Sequence, residues 1–336
     1  MNVAGTKVAI LDFEPGKHFS VPDVEREILG DDVEIRIVRA RDAHSVLEHI
    51  LDAHAVIVWS RFELDAEVLQ RLHNCRGIVC ASVGYDHVDL ACAATLGIPV
   101  CNVPDYGTEE VADHTLALLL ALVRQIVSLD AAIHRGVWDW KQAGRVSRLR
   151  GRGLGVVGFG RIGSAVARRA QSFGLEVSFY DPFLPSGIEK SHAVTRHESL
   201  EDLLDVADII SLHTPLTPQT DGMISAEMLA RLRPGALLLN TARGSLVDID
   251  AVTQALVSGS LAGVGLDVLP NEPHVPAQLL QCKRAILTPH AAWCSEESFL
   301  ENRRKAATKA LRLLMHQSIR DVVNRGQLPS DPVVPR

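Results

Sequence analysis

Short apolar runs alternate with amphipathic stretches along most of the chain. In the first hundred residues the runs occupy 8–13, 33–38, 55–59, 78–82 and 98–103, with helix-spaced segments between them. Apolar runs of this length predict strands covered on both faces, as in a parallel sheet, so this region reads as a small parallel α/β unit. From 153 onward the alternation resumes, with six strand candidates at 153–158, 175–181, 208–213, 236–241, 263–268 and 285–289. Helical patterns separate them, for example at 225–232 and 250–257. Between the two regions, 109–133 predicts one long helix that is apolar almost all round from 116 to 123. A helix without a polar face is buried on every side. Its cover is either its own domain or a second copy of the chain, and the dimer seam is favoured because a solitary inter-domain helix keeps a wet stripe. Trp138 and Trp140 follow, then a basic, glycine-containing stretch, 141–152, that reads as a solvated connector. Ser295 caps a last amphipathic helix over 296–315.

The run at 153–158 carries chemistry. It ends in Gly158, Gly160 and Gly163, spaced G-x-G-x-x-G, and a helical pattern continues over 165–173. The next apolar run stops on Asp181, eighteen residues after Gly163. Strand, glycine turn, helix, strand and acid are the parts of a dinucleotide-binding βαβ unit. Gly158 permits the tight turn, Gly160 lets the backbone approach a pyrophosphate, and Gly163 lets helix pack on strand. Unpaired amides at the helix start then receive the phosphates. Asp181 suits a ribose 2′-OH and repels a 2′-phosphate, and Pro182 and Phe183 are not the arginine that would suit NADP, so NAD is expected. Asp181-Pro182 is also a turn-forming pair, and both roles hold at once.

Composition narrows the class. With 336 residues, 47% of them hydrophobic, the chain fills two ordinary domains. A net charge of −7 with a pI near 6.1 argues against generic nucleic-acid or acidic-membrane binding. Residues 1–13 lack a basic region followed by a long apolar stretch, so no secretion signal is expected. The run at 116–123 is too short to span a bilayer. Cysteines stand at 75, 80, 92, 101, 282 and 294 with no C-x-x-C pair, four of them in or beside apolar runs. That fits reduced thiols in a cytoplasmic protein, with Cys294 inert and no metal site.

Ligands of such sheets meet the carboxyl ends of the strands. The fourth strand candidate of the second region ends in Asn240-Thr-Ala-Arg243-Gly244, the fifth in a segment from Asp267 to Glu272-Pro, and the sixth in Thr288-Pro-His290-Ala-Ala-Trp293. An arginine, a glutamate and a histidine are thereby placed where a nicotinamide would lie. The three types suit reduction of a 2-oxo acid. His290, titrating near neutrality, supplies a proton to the developing alkoxide; Glu272 fixes its tautomer and raises its pKa; Arg243 grips the carboxylate and polarises the keto oxygen. Singly, each has a plain alternative as a wet turn, a satisfied loop histidine or a surface cation.

Gly158-x-Gly-x-x-Gly163, Asn240-Thr-Ala-Arg-Gly-x-Leu-Val-Asp248, Asp267-x-x-x-x-Glu-Pro273 and Thr288-Pro-His290 resemble the D-isomer-specific 2-hydroxyacid dehydrogenases over nearly the whole chain. The segments His290-Ala-Ala-Trp-Cys-Ser-Glu296 and Phe179-Tyr-Asp-Pro182 look most like the C-terminal-binding-protein branch, the NADH-binding corepressors and their bacterial relatives. The resemblance implies an α/β fold of two doubly wound parallel-sheet domains, a Rossmann NAD-binding domain over 104–291 inserted into a flavodoxin-like substrate domain formed by 1–103 and 292–336, with the active site in the cleft between them. It implies Arg243, Glu272 and His290 as the catalytic trio and a small 2-oxo or D-2-hydroxy acid as substrate. Ala81-Ser82-Val83-Gly84-Tyr-Asp matches the family's carboxylate-gripping loop, with backbone amides of Val83 and Gly84 on the substrate; an ordinary turn is the alternative. His87 stands where asparagine is usual. By matched position, Thr108 faces the nicotinamide side, Arg161 and Ile162 supply pyrophosphate amides, His213 and Thr214 flank the adenosine, and Thr241, Ala242 and Asp267 line the nicotinamide ribose and amide. His213 is otherwise a strand-end filler, and His114 reads as structural. Trp293 either narrows the substrate pocket, as in the corepressor branch, or packs between domains. Arg61 either meets a second anionic group or lies on the surface. A NADH-responsive corepressor or scaffold with vestigial activity is the other functional class open to the sequence. A formate dehydrogenase would carry glutamine where Glu272 stands.

Overall fold

The computed structural model describes residues 3–13, 21–40, 42, 44–59 and 62–329. The chain divides into two compact units, Met1–Gly107 with Ser295–Arg336, and Thr108–Cys294. Crossing points near 104 and 292 had been expected. The observed division instead coincides with Thr108, the first residue of a long helix, and with Ser295, the cap of the last one.

In the discontinuous unit, strands β1 (Lys7–Phe13), β2 (Glu34–Ala40), β3 (Ala55–Val58), β4 (Ile78–Cys80) and β5 (Val100–Asn102) form a parallel sheet in the order β2-β1-β3-β4-β5. That is the flavodoxin-like winding. Strands β3, β4 and β5 are buried along their whole length, which is why the sequence shows runs rather than alternation. The returning helix, Glu296–Leu314, starts in a capping box made by Ser295 and Ser298. On it, Arg303 forms a buried ion pair with Glu25, with Nη2 to Oε2 at 2.6 Å and side chains only 8% and 3% exposed. Asn302, also buried, donates from Nδ2 to the carbonyl of Ala81 at 2.9 Å. The C-terminal segment thereby ties down the loop that follows β4.

The continuous unit holds β6 (Gly153–Val157), β7 (Glu176–Tyr180), β8 (Thr195–Arg196), β9 (Ile209–Leu212), β10 (Ala236–Asn240), β11 (Leu261–Leu266) and β12 (Ala285–Leu287). They form one parallel sheet in the order β12-β11-β10-β9-β6-β7-β8. This is the Rossmann winding, with the order reversing beside β6. Seven strands stand where six were expected: two-residue β8 is too short and too polar to show as an apolar run. Successive residues of β10 serve opposite faces. Ala236 and Leu238 join the core under the helices Leu200–Val206 and Ile249–Ser258. Leu237 and Leu239 join the core under Thr108–Arg124 and Arg161–Ser172.

The single helix expected over 109–133 is broken. Thr108–Arg124 ends at Gln125, whose φ is 57° and whose side-chain amide donates to the carbonyl of Leu122; Ile126–His134 then leaves at an angle of 64°. The left-handed residue and its side-chain cap stop the helix where its apolar face changes side. Leu116, Leu118, Leu119, Leu122 and Val123 are buried in the core of their own unit, whereas Ala117 is exposed and Leu120 and Ala121 are half-buried. The second helix and the segment after it leave large apolar side chains exposed, including Ile126, Val127, Trp138 and Trp140. Among the described residues no single helix is long and apolar enough to cross a membrane.

Candidate active site

Parallel strands deliver all their carboxyl ends to one edge of the sheet, and β10, β11 and β12 are neighbours there. Arg243, Glu272 and His290 lie in the three loops that leave those ends. Glu272 Oε2 is 2.9 Å from His290 Nδ1, and Glu272 Oε1 accepts the amide of Leu269 at 3.1 Å. A carboxylate only accepts, so the imidazole carries its proton on Nδ1 and leaves Nε2 unprotonated in the neutral ring. The pair is part-buried, at 27% and 20% side-chain exposure, so its attraction is only partly screened by solvent.

The backbone of His290 is left-handed, with a φ of 55°. A side chain bearing Cβ pays about 1–2 kcal/mol for that conformation, so the surroundings must impose it. They do so on both sides of the residue. The His290 amide donates to the Asp267 carbonyl at 2.7 Å, and the His290 carbonyl accepts from Trp293 Nε1 at 3.1 Å. Buried Asn240 stitches the Arg243 turn in the same manner: Nδ2 donates to the Arg243 carbonyl at 2.8 Å and Oδ1 accepts the Ala242 amide at 3.0 Å. Arg243 Nη1 in turn donates to the Ala242 carbonyl at 2.8 Å.

Asp267, with its side chain 1% exposed, is tied into the loop after β12. Its Oδ1 accepts Thr288 Oγ1 at 2.6 Å and the Ala291 amide at 2.9 Å, and its Oδ2 accepts the Ala292 amide at 2.9 Å. Thr241 Oγ1 lies 2.9 Å from Thr115 Oγ1 on the helix Thr108–Arg124. That helix starts at Thr108 itself.

The glycine turn fits a dinucleotide. A Cβ on Gly158, whose φ is 86°, would lie 2.8 Å from the His213 carbonyl oxygen, and one on Gly163 would lie 2.1 Å from the Gly158 carbonyl oxygen. A Cβ on Gly160 would meet no protein atom within 4 Å. The first two glycines are thus demanded by the fold, whereas the third is set against open space, where a pyrophosphate would approach. Gly160 caps the twelve-residue helix Arg161–Ser172 with no side-chain cap, so the first-turn amides, Arg161 and Ile162 among them, are left for an anion. Asp181 accepts the amides of Phe159 at 2.9 Å and Phe183 at 3.0 Å, which retains lone pairs for a ribose hydroxyl. Arg196 on the unforeseen strand β8 donates to the carbonyls of Asp181 at 2.9 Å and Leu184 at 2.7 Å, and so holds the loop that carries the acid.

His213 pairs with Ser211, Nε2 to Oγ at 2.8 Å, and burial pushes its imidazole down to about 3. It is neutral and internally satisfied; its backbone, not its charge, shapes the glycine turn. Thr214 Oγ1 points to Met223 Sδ at 3.8 Å.

In the other unit, the Ser82–Gly84 turn is rigid. Ser82 Oγ donates to the Gly84 carbonyl at 2.6 Å, and Asn102 Nδ2 donates to the Val83 carbonyl at 2.7 Å. Among the described residues no acceptor is found for the amides of Val83 and Gly84. Arg61 lies outside the described residues. The sequence reading missed Arg196, Asn240 and Thr115. A polar residue at the end of an apolar strand, and one within an otherwise apolar helix, were the available signals for the last two.

Residues 116–292 match the family profile described as D-isomer specific 2-hydroxyacid dehydrogenase, NAD binding domain. The D-3-phosphoglycerate dehydrogenase of Mycobacterium tuberculosis is 37% identical over 298 residues, which are 89% of this chain. The chain belongs to the D-isomer-specific 2-hydroxyacid dehydrogenase family. It spans 56% of the length of that mycobacterial relative. Among solved structures of the family, the D-lactate dehydrogenase of Aquifex aeolicus, complexed with NAD and lactic acid, is 29% identical with a TM-score of 0.82, covering 98% of this chain and 100% of that one. The NADPH-dependent glyoxylate/hydroxypyruvate reductase of Sinorhizobium meliloti, with NADP and malonate, is 31% identical with a TM-score of 0.79, covering 90% of this chain and 91% of that one. The profile assigns dinucleotide binding to the continuous unit, which contains the glycine turn and the His290–Glu272 pair.

Proposed function

We propose that this chain is an NAD-dependent dehydrogenase that interconverts a small 2-oxo acid and its D-2-hydroxy acid. The observation that carries the reading is the 2.9 Å Glu272–His290 pair, held on a left-handed turn in the same unit as the glycine motif. Bound NADH supplies the hydride that C2 of the oxo acid receives. His290 Nε2 gives its proton to the oxygen on C2 and takes it back in the oxidative direction. Glu272 keeps the proton on Nδ1 and stabilises the imidazolium that precedes transfer. Arg243 binds the substrate carboxylate with its donor fork and polarises the keto oxygen. The amides of Val83 and Gly84 are assigned to the carboxylate by family resemblance and by their lack of an internal acceptor. Asp181 favours NAD over NADP.

Finer points belong to the same proposal. Trp293 and the neighbouring residues 290–296 align the chain with the C-terminal-binding-protein branch, while its named relatives are a phosphoglycerate dehydrogenase, a lactate dehydrogenase and a glyoxylate reductase. The surface of Ile126–His134 and the segment after it, with Trp138 91% exposed and Trp140 78%, is assigned to a homodimer seam. Reduced cysteines suit a cytoplasmic enzyme.

The test is a panel of 2-oxo acids (glyoxylate, hydroxypyruvate, pyruvate and longer homologues) read by NADH absorbance, with His290→Ala alongside. Turnover of at least one acid by the parent, and its loss in His290→Ala with NADH binding retained, is expected. Background rates for every acid would favour a NADH-responsive scaffold instead, and full turnover by His290→Ala would reject the assigned proton donor.

A further inference from the structure

We infer that His114 is a positioning residue for the proton-transfer loop, acting through Thr288 and Asp267. His114 sits on Thr108–Arg124, and its Nε2 lies 3.0 Å from Thr288 Oγ1. Thr288 Oγ1 lies 2.6 Å from Asp267 Oδ1. The directions of both bonds follow from the donor inventory. The carboxylate can only accept, so the Thr288 hydroxyl proton points at Asp267; the Thr288 oxygen must then accept, and His114 holds its proton on Nε2. The result is a directed chain, imidazole to hydroxyl to carboxylate, in which each bond polarises the next.

The far end of that chain is the clamp on His290. Asp267 accepts the amides of Ala291 and Ala292 with its two carboxylate oxygens, at 2.9 Å each, and that of His290 with its backbone carbonyl at 2.7 Å. Four contacts of the loop, from Thr288, His290, Ala291 and Ala292, therefore converge on one buried residue. They hold His290 at a φ of 55°, which a residue with a Cβ keeps only under constraint. Only the Thr288 arm is a rotor. A hydroxyl that loses the donor on its oxygen is free to swing from Asp267, and the loop then loses one of the bonds that impose the strained turn. His114 removes that freedom. The adjacent Thr115, whose hydroxyl proton goes to the Val111 carbonyl at 2.7 Å, accepts from Thr241 Oγ1 at 2.9 Å beside the Arg243 turn. One helical turn thus fastens the two loops that carry the proton donor and the carboxylate clamp.

The inference rests on His290 being the proton donor, and its experiment separates the two claims. In the cofactor-free full-length protein, amide hydrogen exchange is followed for peptides spanning 288–294, with β11 as the internal reference. Steady-state kinetics with glyoxylate and NADH, and a fluorescence titration of NADH, are run on the same samples. His114→Phe keeps the ring volume and removes the donor. It is expected to speed exchange at 291–292 about tenfold and to lower kcat about tenfold, with KM and NADH affinity within about twofold of the parent. His114→Gln, whose amide nitrogen reaches the Nε2 position, is expected to restore most of both losses. Thr288→Val, which deletes the middle of the chain, is expected to match His114→Phe and serves as the variant of record should the phenylalanine protein fail to fold. Parental exchange and kcat in His114→Phe or Thr288→Val would overturn the inference, as would a glutamine variant no better than phenylalanine. The exchange readout holds even if His290→Ala shows that another group donates the proton.

Discussion

The indole Nε1 of Trp293 donates to the carbonyl oxygen of His290 at 3.1 Å, closing the last side of a turn whose φ is 55°. A tryptophan three residues after His290 had two readings, a wall of the substrate pocket or inter-domain packing. The hydrogen bond adds a third, restraint of the strained backbone. Trp293→Phe preserves most of the ring and removes only the donor. A neutral hydrogen bond is worth about 1 kcal/mol, so kcat should fall about five- to tenfold, with the ranking of 2-oxo acids unchanged. Steady-state kinetics over the acid panel checks this. A changed ranking with kcat intact would return Trp293 to a purely specificity-setting role.

The glycines of the turn should respond oppositely to the same substitution. A methyl group on Gly160 meets no protein atom within 4 Å, so Gly160→Ala should melt with the parent yet bind NADH at least about tenfold more weakly. On Gly163 it would lie 2.1 Å from the Gly158 carbonyl, so Gly163→Ala should lower the melting temperature by several degrees even without cofactor. Thermal melts and NADH fluorescence titrations on both proteins decide it. Equal loss of stability in the two would mean that the space beside Gly160 is not a ligand's.

These contrasts also show what the sequence could and could not disclose. Runs such as those containing β3 and β10 are buried on both faces, so hydrophobic patterning alone located them. The proposed trio was picked out because ligands of such sheets sit at strand ends. Polar fasteners were not. His114 and Thr115 lie in an apolar helix, and their partners Thr288 and Thr241 are more than a hundred residues away, a separation no local pattern encodes. The break at Gln125 escaped for a related reason. Residues 126–133 retain helical spacing, and only a side-chain cap and a left-handed φ distinguish two helices from one.

Within the 109–133 stretch expected to form a dimer seam, the large apolar side chains left exposed lie beyond Gln125. Ile126 and Val127 are each 54% exposed and Ile133 is 47% exposed. If this face pairs with a second copy, Val127→Glu with Ile133→Glu should convert a dimer to a monomer by buried charge alone. Light scattering coupled to size exclusion reads the mass directly. A monomeric parent at micromolar concentration, or a double variant that stays dimeric, would remove the seam from this surface.

His213 makes a prediction about acid. Its imidazole is pushed down to about 3 from an ordinary 6.5 by burial, so the folded protein keeps it neutral where the unfolded chain protonates it. The contribution is therefore complete above pH 6.5 and declines as pH falls towards 3, because only the unfolded state gains the proton. At pH 5 the loss from this group alone is about 2 kcal/mol relative to pH 7.5. His213→Gln has no proton to gain and keeps a polar group near Ser211, whose hydroxyl lies 2.8 Å from the imidazole. Urea unfolding at the two pH values should thus show the variant losing about 2 kcal/mol less than the parent on acidification, whatever its stability at pH 7.5. Identical acid losses in the two proteins would mean that His213 titrates normally, and the packing assigned to the strand end beside Gly158 would be wrong.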